Sequence, residues 1–247
     1  MENITTVALS RLIAQQRAMD VTASNIANAT TPGYRAERVQ FSDWLLRQAG
    51  GGLAPGERAI SYTQDRATWR DERPGPVSHT GTPLDLALGE TNAYFTVLTA
   101  RGPRLTRAGR FQLAADGGIV DANGDALLDT AGRKLQLSSA DTIIHIAGDG
   151  TLSSENGEIG RVGIVAADNV ANLRAEGDRD FSTSGPTRPV AAPRLVQGAV
   201  QESNVQPITE MTRMTSDLRT FQFVTQLLQA EADREQNAID KLLPKQS

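Results

Sequence analysis

The chain contains no cysteine. Disulfides and cysteine-based metal sites are therefore excluded. Aromatic residues make up only 4% of the 247. So few large side chains serve a single big core poorly, which favours small units or burial against partners. Only three basic residues are lysines, Lys134, Lys241 and Lys245, and the formal net charge is -4. No run of Lys or Arg forms a basic stripe, so nucleic acid is not an expected partner. No segment approaches the roughly 18 unbroken apolar residues of a membrane span, so direct membrane insertion is not expected either. The opening stretch MENITTVALSRL places Glu2 where a secretory leader carries positive charge, and no cleaved signal peptide is read there. Histidine is confined to His79 and His145, and no zinc-protease, nucleophile-elbow or phosphate-loop motif is present. Asp121-Ala-Asn123-Gly-Asp125 resembles the start of a calcium loop. It has Ala126 at the sixth position and Gly132 at the twelfth, where glycine and glutamate belong. It reads as a hairpin turn. No catalytic, cofactor or metal site is expected.

Helical periodicity fills both ends. Residues 3–27 lack Gly and Pro, and Ile4, Ala8, Leu12, Gln15, Met19, Thr22 and Ile26 recur at spacings of three and four. That pattern approaches a coiled-coil seam, which Val7 and Ile13 widen. Thr31-Pro32-Gly33 stops the helix near Thr30. At the other end, Ile208, Met211, Thr215, Leu218, Phe221, Thr225, Leu228, Ala232, Glu235, Ile239 and Leu242 hold the same spacing between Pro207 and Pro244. Pro207 suits a first helical turn. Ser203 or Asn204 is expected to cap this second helix, with Val205 as a hydrophobic staple.

Between the helices the periodicity changes. Residues 41–76 read as a linker, with Phe41, Trp44, Leu45 and Leu46 in one apolar turn and a strand from Tyr62 to Trp69. Residues 77–200 read as antiparallel β-structure. Its strands are separated by Asp116-Gly117, Asn123-Gly124, Asp149-Gly150 and Asn156-Gly157, which supply the positive φ of tight hairpins. One of these strands is expected over 160–166. The predicted class is α+β: paired N- and C-terminal helices in a coiled-coil-like core domain, plus a central β-rich domain. The expected boundaries are 1–40, 41–76, 77–200 and 201–247. The two stripes exceed what two helices of unequal length cover on each other, so the ends are expected to order on assembly.

Thr22-Ala-Ser-Asn25-Ile26-Ala-Asn28-Ala-Thr-Thr31-Pro32-Gly33-Tyr34 resembles the segment that ends the first helix of flagellar rod and hook proteins. Ser203-Asn204-Val205-Gln-Pro207 resembles the segment that opens their last helix. Thr82–Leu88 and Leu105-Thr106-Arg107-Ala108-Gly109-Arg110-Phe111 resemble their middle region. Four motifs in the family's order cover almost the whole chain, and they are most similar to the proximal-rod branch. The distal rod or another axial paralogue is the alternative. A secreted β-domain binding module or enzyme is the alternative of another class. The resemblance implies a non-enzymatic structural subunit of the periplasmic rod, exported by the flagellar type III apparatus. Its implied partners are copies of itself and other rod proteins, and it transmits torque through packed helices. Asn25 and Asn28, three residues apart on one helix face, are expected to bond backbone groups of the adjoining helix or a neighbouring subunit. Tyr34 is expected to pack on the helices.

Overall fold

The computed structural model describes residues 2–46, 60–177 and 179–242, without the side chains of 2–6, 41–46, 60–67, 171, 239, 241 and 242. The chain is α+β and divides into two compact units. The first unit gathers Met1–Ala27, Glu37–Asp71 and Gln206–Ser247; the second gathers Asn28–Ala36 and Glu72–Val205. The backbone therefore passes between them at 27/28, 36/37, 71/72 and 205/206.

The first unit holds α1 (Glu2–Ala27), strands β1 (Glu37–Leu46) and β2 (Ile60–Arg70), and α2 (Pro207–Leu242). Both helices fill their Gly- and Pro-free stretches. The strands pair antiparallel, from Glu37 opposite Arg70 to Leu46 opposite Ile60, with a bulge at Gln40/Phe41. An Arg70 to Glu37 ion pair of 2.7 Å closes the first rung. The expected apolar turn over Phe41, Trp44, Leu45 and Leu46 is thus part of a strand. The aromatic and β-branched content of 39–46 finds a partner in Tyr62 to Trp69, and pairing decides the conformation.

The line the periodicity predicts is covered along α1, where Gln15 is half-buried with the rest, but along α2 only Phe221, Thr225 and Leu228 of it are half-covered. On α1 the buried residues are Ala8, Ala14, Val21, Thr22 and Asn25, while Leu9 and Ile13 face solvent. Leu12, Met19 and Ile26 are half-buried. On α2 the chain covers Glu210 and Val224, and half-covers Asp217, Phe221, Leu228 and Glu231. Ile208 is 81% exposed, Met211 54% and Leu218 46%. Ile4, Ile239 and Leu242 lie outside the described side chains.

The second unit is all β, and every strand pair in it is antiparallel. Strand Ala93–Thr99 is central and alternates sides. Phe95 and Val97 enter a core with Leu86, Phe111, Ile119, Leu127, Leu152 and Ile164. Tyr94 enters a second cluster with Leu105, Leu173 and Phe181. Gly117, Gly124, Gly150 and Gly157 all adopt positive φ at the turns. The single strand expected over 160–166 is two strands, Gly157–Arg161 and Ile164–Ala167. They break at Gly163, where a Cβ would stand 2.6 Å from the Asp129 carbonyl oxygen and 2.8 Å from that of Leu128.

Ile144–Ile146, Thr151–Ser154 and Gly157–Arg161 form a three-stranded sheet. Glu155 at its turn accepts bonds from the Thr142 hydroxyl (2.7 Å), the Thr142 N–H (2.8 Å) and the Ile143 N–H (3.0 Å). These donors, the Thr142 hydroxyl foremost, hold its carboxyl down to about 2. A depressed carboxyl stabilises the fold above the ordinary glutamate value of about 4.3, and that contribution is lost as pH falls toward 2. Glu155→Gln is therefore expected to lower Tm at pH 7, with the gap to wild type closing between pH 5 and 2. A gap that stays constant with pH would contradict this account.

Candidate functional site

The residues of the family-like motifs lie far apart in sequence, and within the second unit the structure brings most of them together. The turn after α1 is built first. The Thr31 N–H donates to the Asn28 carbonyl (3.1 Å), the Thr31 hydroxyl to Asn28 Oδ1 (3.0 Å) and the Tyr34 N–H to the Thr31 carbonyl (3.2 Å). Asn28 therefore bonds its own turn. Gly33 has φ of +75°, and its N–H donates to the Gln201 carbonyl at 2.8 Å. A Cβ there would run into the Arg107 carbonyl and stand 2.8 Å from the Ala108 nitrogen. Tyr34, 8% exposed, packs with Ala36 and Val205.

Asn204 fastens this turn to the returning chain. Its N–H donates to the Tyr34 carbonyl (3.3 Å), its Oδ1 accepts the Ala36 N–H (2.7 Å), and its Nδ2 donates to the Arg73 carbonyl (2.8 Å). Ser203 Oγ accepts the Val205 N–H at 3.2 Å. Neither Ser203 nor Asn204 caps α2. The helix opens at Pro207, and Gln206 stands at the capping position, its carbonyl accepting the Glu210 N–H at 3.0 Å. The two residues lie too far upstream to reach the first free N–H groups. Val205 does not staple the helix, because its counterpart four residues inside is the charged Glu210.

Two arginines complete the junction. Arg107, 3% exposed, donates to the carbonyls of Glu90 (2.6 Å) and Ala93 (2.5 Å) and through Nη2 to Gln201 Oε1 (2.6 Å). Arg35 pairs with Glu72 and donates to the Thr91 carbonyl. Both guanidinium groups lie over the Tyr94 ring, at 5.8 Å for Arg107 and 6.0 Å for Arg35. Burial first, and Arg35 second, lower the Arg107 pKa to about 10. Arg107 therefore stays charged at neutral pH.

Asn25 serves the first unit. It is fully buried, donates through Nδ2 to the Glu37 carbonyl (2.9 Å) and accepts the Glu37 N–H on Oδ1 (2.8 Å). A carboxamide carries both a donor and an acceptor, so it mimics one rung of a sheet. The partner in both bonds is the chain's own β1. Buried Glu210 on α2 meets Arg38 Nη1 of β1 at 2.8 Å and Arg213 Nη1 at 3.6 Å. The attraction is coulombic, since neither carboxylate oxygen has an aligned donor.

The sequence readings named Asn28, Gly33, Tyr34 and Asn204, all of which sit at the junction. Arg35, Gln201 and the Glu210–Arg38 pair were not singled out. Arg35 directly follows the first motif and Gln201 shortly precedes the last, which was the available signal. Among the described residues, no group of three or more His, Asp or Glu is placed to hold a metal ion.

Residues 6–35 match the family model described as Flagella basal body rod protein. Residues 90–154 match that described as Flagellar hook protein FlgE/F/G D1 domain, and residues 196–241 that described as Flagellar basal body rod FlgEFG protein C-terminal. Over 239 residues the chain is 31% identical to the flagellar basal-body rod protein FlgF of Mesorhizobium japonicum, covering 96% of each. This chain belongs to the flagellar basal-body rod protein family. The FlgF of Caulobacter vibrioides is 29% identical over 244 residues, covering 98% of each chain. The rod protein FlgG of Bacillus subtilis is 28% identical over 230 residues, covering 84% of this chain and 86% of the relative. In this rod-family chain the first matched segment spans Asn25, Asn28 and Gly33, and the last spans Gln201, Asn204 and Glu210. The matched ends thus contain the groups that build the junction and the interior of the helical unit. Among the described residues, no helix is long and apolar enough to cross a membrane.

Proposed function

We propose that this rod-family chain is a structural subunit of the proximal rod, and that it polymerises through α1 and α2. The observation that carries this reading is apolar surface left in solvent on both helices. Ile208, Met211, Met214 and Leu218 line one side of α2, Phe223 and Leu227 another, and Leu9 and Ile13 mark α1. Water-facing side chains of this size, spaced at helical intervals, lose free energy by packing against neighbouring helices. The neighbours are copies of this chain and sister rod subunits, meeting in coiled-coil-like seams. Torque then passes from helix to helix. The subunit reaches the periplasmic rod through the flagellar type III export apparatus. Asn25, Asn28, Gly33, Tyr34 and Asn204 act indirectly, by fixing where each helix begins and ends.

The test replaces Ile208, Met211 and Leu218 together by Asp. Exposed sites tolerate such changes within about 0.5 kcal/mol each, so the variant is expected to fold with near-normal Tm. Purified basal bodies from a strain carrying it are expected to lack the chain, and swimming to be lost. Incorporation and motility at wild-type levels would sink the proposal.

A further inference from the structure

We propose that the buried Glu210–Arg38 pair sets the rotation of α2 about its own axis, holding a polar line inward so that the apolar seam stays outward. The covered line of α2 runs through Glu210, Asp217, Val224 and Glu231, and three of these four are carboxylates. Met211 and Leu218, each directly after one of the first two, are 54% and 46% exposed. One residue is about 100° of helix. A roll of that size would exchange Glu210 and Asp217 for Met211 and Leu218, and apolar burial alone favours the exchange. Packing does not forbid it. α2 meets α1 and the β1–β2 hairpin across an open pocket of about 390 Å³, lined by Ala18, Val21, Thr22, Arg38, Trp69 and Asp217.

Something must therefore hold the polar line in place. Gln15 of α1 donates to the Asp217 carbonyl at 3.2 Å and reaches Asp217 Oδ1 only at 3.5 Å. A backbone carbonyl is offered by whichever residue faces α1, and the longer contact is at the limit of a hydrogen bond. Arg213 Nη1, 3.6 Å from Glu210, turns with the helix and does not oppose a roll. Arg38 Nη1, at 2.8 Å, is fixed on β1. A roll would carry Glu210 away from it, and opposite charges attract more strongly when buried than in water. Breaking such a pair is costly, whereas replacing both partners need not lower stability; setting register is the best-attested use of buried charge. Glu210 and Arg38 are thus positioning residues for α2. The hold is a property of the single chain. That it keeps the seam free for neighbouring helices rests on the polymerisation reading above.

The full chain lacks cysteine, so thiols report on the rotation directly. The experiment combines Gln15→Cys with either Asp217→Cys or Leu218→Cys in dilute protein and adds a short bifunctional thiol reagent. With Arg38 and Glu210 intact, the 15/217 pair is expected to cross-link and the 15/218 pair is not. Arg38→Gln together with Glu210→Gln should reverse that preference. Both cysteine changes favour the original rotation, one by removing an inward carboxylate and the other an outward leucine, so a reversal is a stringent result. Arg38→Lys should leave the preference unchanged, because the attraction is coulombic and no aligned bond is lost. If the double variant does not fold, Glu210→Gln alone serves: the Arg38 side chain is 24% exposed and can turn to water, and the same reversal is expected. A folded variant that still cross-links 15/217 overturns the proposal. So does a 15/218 cross-link while the ion pair is intact. The cross-link forms within one chain, so its outcome is separate from that of the Asp triple variant in basal bodies, and either reading can fail while the other stands.

Discussion

Gly33→Ala is expected to destabilise the second unit by about 3 kcal/mol or more. Two costs combine. The backbone at φ of +75° disfavours any side chain, and the new Cβ meets the backbone at Arg107 and Ala108. Neither obstacle is a flexible side-chain end, so the turn itself must move, and the Gly33 to Gln201 bond is lost with it. Gly124→Ala separates the two costs. Gly124 has φ of +87° but nothing within 4 Å of an added Cβ, so only the conformational cost of about 1 kcal/mol remains. Equilibrium unfolding followed by the β-sheet circular dichroism signal measures both variants. Equal destabilisation of the two would show that close approach at Gly33 carries no weight.

Arg107→Met keeps approximate bulk and removes the guanidinium. Its loss is expected to cost about 3 kcal/mol or more, since the Glu90 and Ala93 carbonyls and Gln201 Oε1 each lose a donor inside the protein. Arg107→Lys is expected to recover only part of this. A single ammonium cannot span Gln201 on one side and the 90–93 carbonyls on the other, and it stacks less well on Tyr94. Because Arg35 opposes the Arg107 charge, each single change already relieves their repulsion, and pairing Arg107→Met with Arg35→Met should cost more than the sum of the single changes. Strict additivity in that double-mutant cycle would refute the reading of a coupled pair over one ring.

Much of this architecture was legible from residue order. The helices stood out because Gly and Pro are absent from 3–27 and from 208–242, and Pro207 marks the second start. The β-turns stood out because Asp-Gly and Asn-Gly have a specific backbone use. The β1–β2 hairpin was obscured because residues 47–59 between its strands are many, and Gly50-Gly51-Gly52 and Pro55-Gly56 among them read as a linker and not as one tight turn. The covered line on α2 was missed for a different reason. Periodicity weighs apolar residues, whereas this chain buries Glu210 and half-buries Asp217 and Glu231 on that side. Arg38 makes such burial possible for Glu210, and a pattern of hydrophobicity is blind to it. The junction was half legible: Asn204 and Gly33 belong to recognisable motifs, but the N-cap role assigned to Asn204 came from its position alone. Its actual partners, Ala36 and Arg73, depend on chain segments distant in sequence.

The three bonds of Asn204 have a mechanical consequence. They join the outgoing segment at Tyr34 and Ala36, the segment at Arg73 and the returning segment at Asn204 itself. A tug on any one of these lengths is shared at once by the other two. Hydrogen bonds sheared side by side must rupture together, whereas bonds peeled one after another fail singly. The second unit is thus tied as a knot is tied.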